Sequence, residues 1–317
     1  MGHGWIDFVS AAPTAGVPEP AWIHGAPSAR RNTDPPIQVH AHDRHTFLLR
    51  QSMSVDFEAP FVFLLMGNER ALLLDTGATA DPARFPLRET VDALLADWLA
   101  EHPREGYRLV VAHTHGHGDH VAGDPQFADR PATTTVGTGL DQVRAFFGFD
   151  DWPARTVRFD LGGRVLELIG IPGHQEASIA VHDPWSGFLL TGDTVYRGRL
   201  YTQDFPAFVD SLTRLVDFAA GREVTRVLGC HIEMRRAPGR DYPAGSTYQP
   251  DEPQLQLPVE RLTTIRDAAR AAVGRPGVHR HDDFIIWNGV GPGEWHKQSL
   301  RLLLQRAALA IRVRRTS

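Results

Sequence analysis

Residues 113–120 read "HTHGHGDH". Four of these eight residues are histidine, two are glycine, and an aspartate directly precedes the last histidine. Neutral imidazole and carboxylate are donors that suit zinc, at ligand distances of roughly 2.0–2.2 Å. Gly116 and Gly118 are expected to let the imidazoles converge, because glycine accepts backbone angles that other residues resist. The Asp119-His120 pair fixes the frame as His115-x-His117-x-Asp119-His120. A single cation cannot comfortably take all four groups from so short a turn. The easier arrangement places His115 and His117 on one ion, and Asp119 and His120 on a second. His113 lies two residues before the frame and is expected to support or pack against it.

Working outward, "YRLVVA" reads as a buried strand that runs straight into the cluster. Upstream, "HTFLLRQS", "FVFLLMG" and "RALLLDTG" are strand-like, with a tight turn expected at Gly67-Asn68. "LRETVDALLADWLAEH" has helical periodicity, placing Val91, Leu94, Leu95, Trp98 and Leu99 on one side. Downstream, "LDQVRAFFGF" and "FPAFVDSLTRLVDFAAG" read as helices. "TVRFD", "RVLELIGIPG", "SIAVHD", "GFLLTGD" and "TRVLGCH" read as strands. "VERLTTIRDAARAAVG" is a further helix, "HDDFIIWNG" a strand, and "WHKQSLRLLLQRAALAIRVR" a terminal helix. Several strands stop abruptly at polar residues: Asp75, the 113–120 cluster, His174, Asp193 and His231. Binding groups held on loops at strand ends are where sites usually form.

The 317 residues are 42% hydrophobic, enough for one sizeable core, and are read as a single domain spanning 1–317. Within it, 1–44 is a Pro/Gly/Ala-rich arm, 45–234 the metal-binding core, and 235–257 a long polar loop, functional or mobile. Residues 258–317 supply further helices and a strand to the same domain. The net charge of −5 weighs against a nucleic-acid partner. The single cysteine, Cys230, excludes an intrachain disulfide framework and fits a reducing, cytoplasmic location. Cys230 itself reads as a small buried residue. The opening "MGHGWIDFVSAAPTAG" lacks the pattern of a signal peptide. No run approaches the ~18 apolar residues that would span a bilayer. The expected partner is a small-molecule substrate; on the arginine-bearing terminal helix (Arg301, Arg306, Arg312, Arg314, Arg315) a solvated face is expected, with a homodimer contact or an anionic substrate as the alternatives.

The HxHxDH frame, followed by His174 in "IPGHQEAS", Asp193 in "LLTGDTVY" and His231 in "VLGCH", resembles the metallo-β-lactamase-fold hydrolase superfamily. Asp75 in "LLLDTG" matches the aspartate motif that precedes the cluster in that family. The resemblance covers roughly residues 45–234. It implies an α/β fold: an αββα four-layer sandwich, with two mixed β-sheets flanked by helices. It further implies that His115, His117 and His174 hold one metal, that Asp119, His120 and His231 hold the other, and that Asp193 bridges them. Asp75 would orient a ligand from behind, and Ser178 would supply a small hydroxyl supporting the loop. The expected cofactors are two Zn2+, with iron or manganese as alternatives in one or both sites.

Two metals about 3.5–4 Å apart lower the pKa of a shared water, and the hydroxide attacks an electrophilic carbonyl or phosphorus. Asp119 would orient that nucleophile and pass a proton. Tyr196, three residues after Asp193, has two readings. In lactone-hydrolysing members a tyrosine at a similar offset polarises the substrate carbonyl; otherwise it is a packing residue. The "TGDT" motif is more similar to the thioesterase (glyoxalase II-like) and lactonase branches than to β-lactamases. His117 stands where flavin-linked diiron reductases of this fold usually place a glutamate. The expected function is hydrolysis of a small carbonyl ester, thioester or lactone. The alternatives are a phosphodiesterase or nuclease using the same metals, and a metal-bound module that binds a ligand without turnover. His40, His42 and His45, and likewise His279 and His281, are expected not to be ligands.

Overall fold

Alternation along the first strands dictates a layered core. The computed structural model describes residues 4–10 and 13–315. Its first sheet is formed by β1 (Ile37–Asp43), β2 (Thr46–Gln51), β3 (Phe61–Met66), β4 (Arg70–Leu74), β5 (Arg108–Ala112) and β6 (Thr133–Thr135), in that spatial order. Pairing is antiparallel from β1 to β4 and parallel from β4 to β6. The parallel step needs a crossover, which α1 (Leu87–Glu101) supplies. Side chains on a strand point alternately to the two faces. Leu48, Phe61, Phe63, Leu65, Leu72 and Leu74 accordingly enter one cluster, and Leu49, Val62, Leu64, Met66, Ala71 and Leu73 another. The second cluster packs against Leu87, Val91, Leu95 and Trp98 of α1.

The first cluster is closed by the second sheet. That sheet runs β12–β10–β9–β8–β7 in space. Its strands are β7 (Val157–Asp160), β8 (Val165–Gly170), β9 (Ile179–Asp183), β10 (Phe188–Gly192) and β12 (Arg226–Gly229). Leu166, Leu168, Val181, Phe188, Leu190 and Leu228 face the first sheet. Ile169, Ala180, Leu189 and Val227 face outward, against α4 (Phe205–Ala220) and α5 (Glu260–Ala271). Helix, sheet, sheet and helix therefore stack as four layers, with both sheets mixed. Two short helices, α2 (Gly118–Val121) and α3 (Leu140–Phe147), and the terminal α6 (Pro292–Arg315) complete the chain.

Arg164 ties the two sheets together. It is 1% exposed. Its guanidinium donates to the carbonyls of His45 and Met66 and to Thr46 Oγ1 on the first sheet. From the same group it donates to both carboxylate oxygens of Asp183 on the second. A charge this deep persists only when paired and fully hydrogen-bonded.

Three features differ from the sequence reading. A third small sheet exists, with β11 (Arg199–Tyr201) parallel to β14 (Ile285–Asn288) and β13 (Gly277–Arg280) on the far side. Within the 1–44 arm, residues 37–43 form a full seven-residue strand, β1, of the first sheet. The 235–257 stretch has no helix or full strand, but it is pinned by isolated bridges at Met234–Asp241, Gly25–Tyr248 and Val227–Leu257. Its buried carboxylates are paired: Asp241 receives Arg199, Arg280 and Arg301, and Glu252 receives Arg50. Arg301 is thereby committed to the chain's own core, while the side chains of Arg312, Arg314 and Arg315 lie outside the described residues. No described helix is long and apolar enough to cross a membrane.

Candidate metal centre

The strand ends converge as the polar stops suggest. Asp75 follows β4, His113–His117 follow β5, His174 follows β8, Asp193 follows β10 and His231 follows β12. The glycine expectation needs correction. Neither Gly116 nor Gly118 adopts a positive φ. Gly118 opens α2, and a Cβ on Gly116 would press on Thr138 at 3.1 Å. Positive φ falls instead at Asp75 (+71°), at Gly173 (+136°) just before His174, and at Gly192 (+54°) just before Asp193. A Cβ on Gly192 would lie 2.7 Å from the Thr114 side chain, so only glycine fits.

Three imidazole nitrogens form a near-equilateral triangle. His115 Nε2 is 3.0 Å from His117 Nδ1, and His174 Nε2 is 3.1 and 3.0 Å from those two atoms. Three nitrogens cannot satisfy one another pairwise with protons, but they can share a cation at roughly 2.0–2.1 Å each. Beside this triangle, Asp119 Oδ2 lies 3.4 Å from His120 Nε2 and 3.3 Å from His231 Nε2. His231 Nε2 and His120 Nε2 are 3.4 Å apart. Asp193 faces both groups: its Oδ2 is 3.6 Å from His120 Nε2 and 3.8 Å from His174 Nε2. Its Oδ1 is buried without a hydrogen-bond partner. With Oδ1 3.4 Å from His231 Nε2 and Oδ2 facing both sets, a buried carboxylate that keeps one oxygen without a hydrogen bond is what a pair of divalent cations would satisfy. These residues fit a metal centre.

Each ring is aimed from behind. His120 Nδ1–H donates to Asp75 Oδ2 at 2.9 Å, His174 Nδ1–H to the Tyr201 carbonyl at 2.8 Å, and His231 Nδ1–H to the Glu58 carbonyl at 2.9 Å. These bonds fix the ring orientations and aim the three Nε2 atoms inward. His115 Nδ1 meets Thr114 Oγ1 at 3.1 Å, and the Gln203 amide lies 3.0 Å from His117 Nε2. Asp75 is fully buried, and its Oδ1 accepts the Thr114 backbone N–H at 2.7 Å. Burial pushes His115, His117 and His174 down from the ordinary imidazole value, so the triangle is built of neutral rings. Burial acts the same way on His120 and His231. There Asp193, with Asp75 and Asp119, overrides it and holds His231 up to about 10. Asp119 and Asp193 stay well below the carboxylate range despite burial, held down by His120 and His231.

The remaining residues singled out from sequence fall as follows. His113 Nε2 is 2.8 Å from Asp124 Oδ1, which also accepts from Thr76, so it braces the loop without touching a ligand. The Ser178 hydroxyl is buried and makes no hydrogen bond; the loop is held by Ile171 N–H donating to the Ser178 carbonyl. The Tyr196 ring packs against His231, with centroids 5.7 Å apart, and is 2% exposed. Its hydroxyl is committed to the Arg199 carbonyl and lies 3.1 Å from Glu233 Oε2. Cys230 is buried, its thiol pushed up by burial and by Asp75, to which it donates at 3.3 Å. His40, His42, His45, His279 and His281 join no ligating group among the described residues. Glu58, Tyr201 and Gln203 were not singled out as supports. They act through backbone carbonyls or from distant loops, and neither leaves a local motif.

The sequence model of the metallo-beta-lactamase superfamily matches residues 55–266. A protein of Synechococcus sp. (strain JA-3-3Ab) named hydroxyacylglutathione hydrolase is 29% identical over 242 residues, covering 72% of this chain and 84% of its own. One of the same name from Nostoc punctiforme is 26% identical, covering 72% of this chain and 85% of its own. Among solved structures, the DIM-1 metallo-β-lactamase exposed to ceftazidime superposes with a TM-score of 0.51 at 16% identity. That alignment covers 76% of this chain and all of the other, and speaks for the fold alone. The chain belongs to the metallo-β-lactamase superfamily, a family of metal-dependent hydrolases.

Proposed function

We propose that this chain is a dinuclear metal-dependent hydrolase of a small carbonyl ester, with a thioester as the favoured substrate bond. The observation that carries the reading is the convergence of His115, His117 and His174 beside Asp119, His120 and His231, with Asp193 facing both. The name hydroxyacylglutathione hydrolase, shared by the relatives, supports a thioester over a lactone. When bound, two divalent cations would supply an activated water near neutral pH and polarise the substrate carbonyl.

The protein's own groups do the rest. His115, His117 and His174 would hold one ion, and Asp119, His120 and His231 the other. Asp193 would contribute an oxygen toward each. Asp119, more exposed than His120 behind it, faces the open side and would orient the nucleophile and take its proton. Tyr196 is given a packing role, because its hydroxyl is spent on Arg199 and Glu233.

The test is a substrate screen on the metal-loaded protein with thioesters, lactones, β-lactams and bis(p-nitrophenyl) phosphate. Thioester turnover well above the rest supports the proposal. Phosphodiester cleavage as the fastest reaction would replace it with the nuclease-type reading, and an inert protein holding two metals would leave a ligand-binding module.

A further inference from the structure

A helix on a protein surface ordinarily turns its apolar stripe inward and its polar side to water. The terminal helix α6 (Pro292–Arg315) does the reverse. Its inner side is held by polar groups. Gln298 is buried and accepts the Ala244 N–H, and Arg301 donates to both carboxylate oxygens of Asp241. Gln305 donates to Ser246 Oγ at 2.9 Å and to the Tyr248 carbonyl at 3.3 Å. The outer side holds Leu300, Leu303, Leu304 and Ile311, each more than half exposed. Ala307 and Ala308 lie between them and are exposed as well. Positions 300, 303, 304, 307 and 311 share one face of a helix. A contiguous apolar stripe turned to solvent marks an interaction site.

The charge on α6 says what would cover the stripe. The helix contains five arginines and one lysine against one glutamate, in a chain whose net charge is −5. Arg301 is spent on Asp241 and Lys297 on Glu294. Arg306 is exposed and has no described partner. Arg312, Arg314 and Arg315 follow Ile311, the last large residue of the stripe, in the sequence. A second copy of the helix laid on this stripe would set one basic run against another, and like charges repel. The stripe also offers no directional polar group for a protein partner to read. A layer of anionic lipid head groups meets both properties at once: the leucines enter its apolar boundary and the arginines face its phosphates. No described helix is long and apolar enough to cross a membrane, and α6 would lie along the surface.

We propose that α6 docks this chain on the surface of a bilayer containing anionic phospholipid, with Leu300, Leu303, Leu304 and Ile311 as the inserting residues. The inference goes beyond the hydrolase reading and does not depend on it, because docking is measured without turnover.

The experiment is co-sedimentation of the full chain with two kinds of vesicle, phosphatidylcholine alone and phosphatidylcholine mixed with phosphatidylglycerol. The wild type is expected to partition at least about tenfold more strongly onto the mixed vesicles, and added salt should weaken that binding. The double variant Leu303→Gln, Leu304→Gln keeps residues that favour a helix and should lose most of the binding. Its chemical denaturation midpoint should match the wild type, because both side chains point away from the body. Arg306→Glu should lower partition onto the mixed vesicles severalfold. Equal partition of the wild type onto the two kinds of vesicle overturns the inference, as does binding that the double variant retains. A chain that ignores both vesicles and sediments as a dimer, which the double variant converts to monomer, also overturns it and gives the stripe to a second copy.

Discussion

Asp75 Oδ2 stands 2.9 Å from His120 Nδ1, and both side chains are completely buried. The same carboxylate takes the Thr114 N–H and hydroxyl and the Cys230 thiol. One aspartate at the end of β4 thus locks the tautomer of a candidate ligand, the start of the histidine turn and the end of β12. Asp75→Asn keeps the shape but offers an N–H where acceptors are needed. It should weaken metal binding by about 10–100-fold, seen as loss of metal during dialysis against a graded chelator series. Wild-type retention would remove Asp75 from the orienting role.

Tyr196→Phe tests the packing assignment. The hydroxyl holds the Arg199 carbonyl and Glu233, so its loss should cost roughly 1–2 kcal/mol of stability. Turnover should stay within about threefold. A fall in kcat of about a hundredfold, the scale of a lost oxyanion donor, would instead make the phenol part of the chemistry.

Arg164 joins the two sheets through five hydrogen bonds, to the His45 and Met66 carbonyls, Thr46 and both oxygens of Asp183. Arg164→Met leaves Asp183 buried without its cation. The expected loss is about 3–5 kcal/mol, measured as a drop in the chemical denaturation midpoint. A change under about 1 kcal/mol would show that this tie adds little net stability.

His45 gives the fold an acid-sensitive point. Burial pushes its ring down to about 4, and the Trp98 indole N–H donates to its Nδ1 at 2.9 Å, which requires that nitrogen to be unprotonated. The unfolded chain takes up this proton near the ordinary value of 6.5 while the native chain resists it. Stability from this group is therefore full above that value and is lost progressively as pH falls toward 4. Denaturation midpoints at about pH 7 and about pH 5 should differ less in His45→Gln than in the wild type. An identical pH dependence in the two proteins would contradict this.

Much of the centre was legible in the chain because it is built from side-chain identity at strand ends. His115, His117, Asp119 and His120 are contiguous, and His174, Asp193 and His231 each follow an apolar strand run. The layering was legible only through the family resemblance: Phe61–Met66 is apolar at every position, and the structure alone assigns Phe61, Phe63 and Leu65 to one face and Val62 and Leu64 to the other. What stayed hidden depends on pairing across long separations. Glu58 and His231 meet through a backbone carbonyl, which no residue type advertises. The 235–257 stretch reads as an open polar loop by composition, yet Asp241 is buried there because three arginines from distant elements surround it. The strands of the third sheet are three and four residues long, too short to establish a period.

The central claim is that Asp193 is shared between two metal sites. Elemental analysis of the purified wild type and of Asp193→Asn, each equilibrated with the same zinc solution, tests it most directly. The account predicts two metals per wild-type chain, a loss from both sites in the variant and the loss of most hydrolytic activity. A variant that keeps two tightly bound metals and full turnover would contradict it.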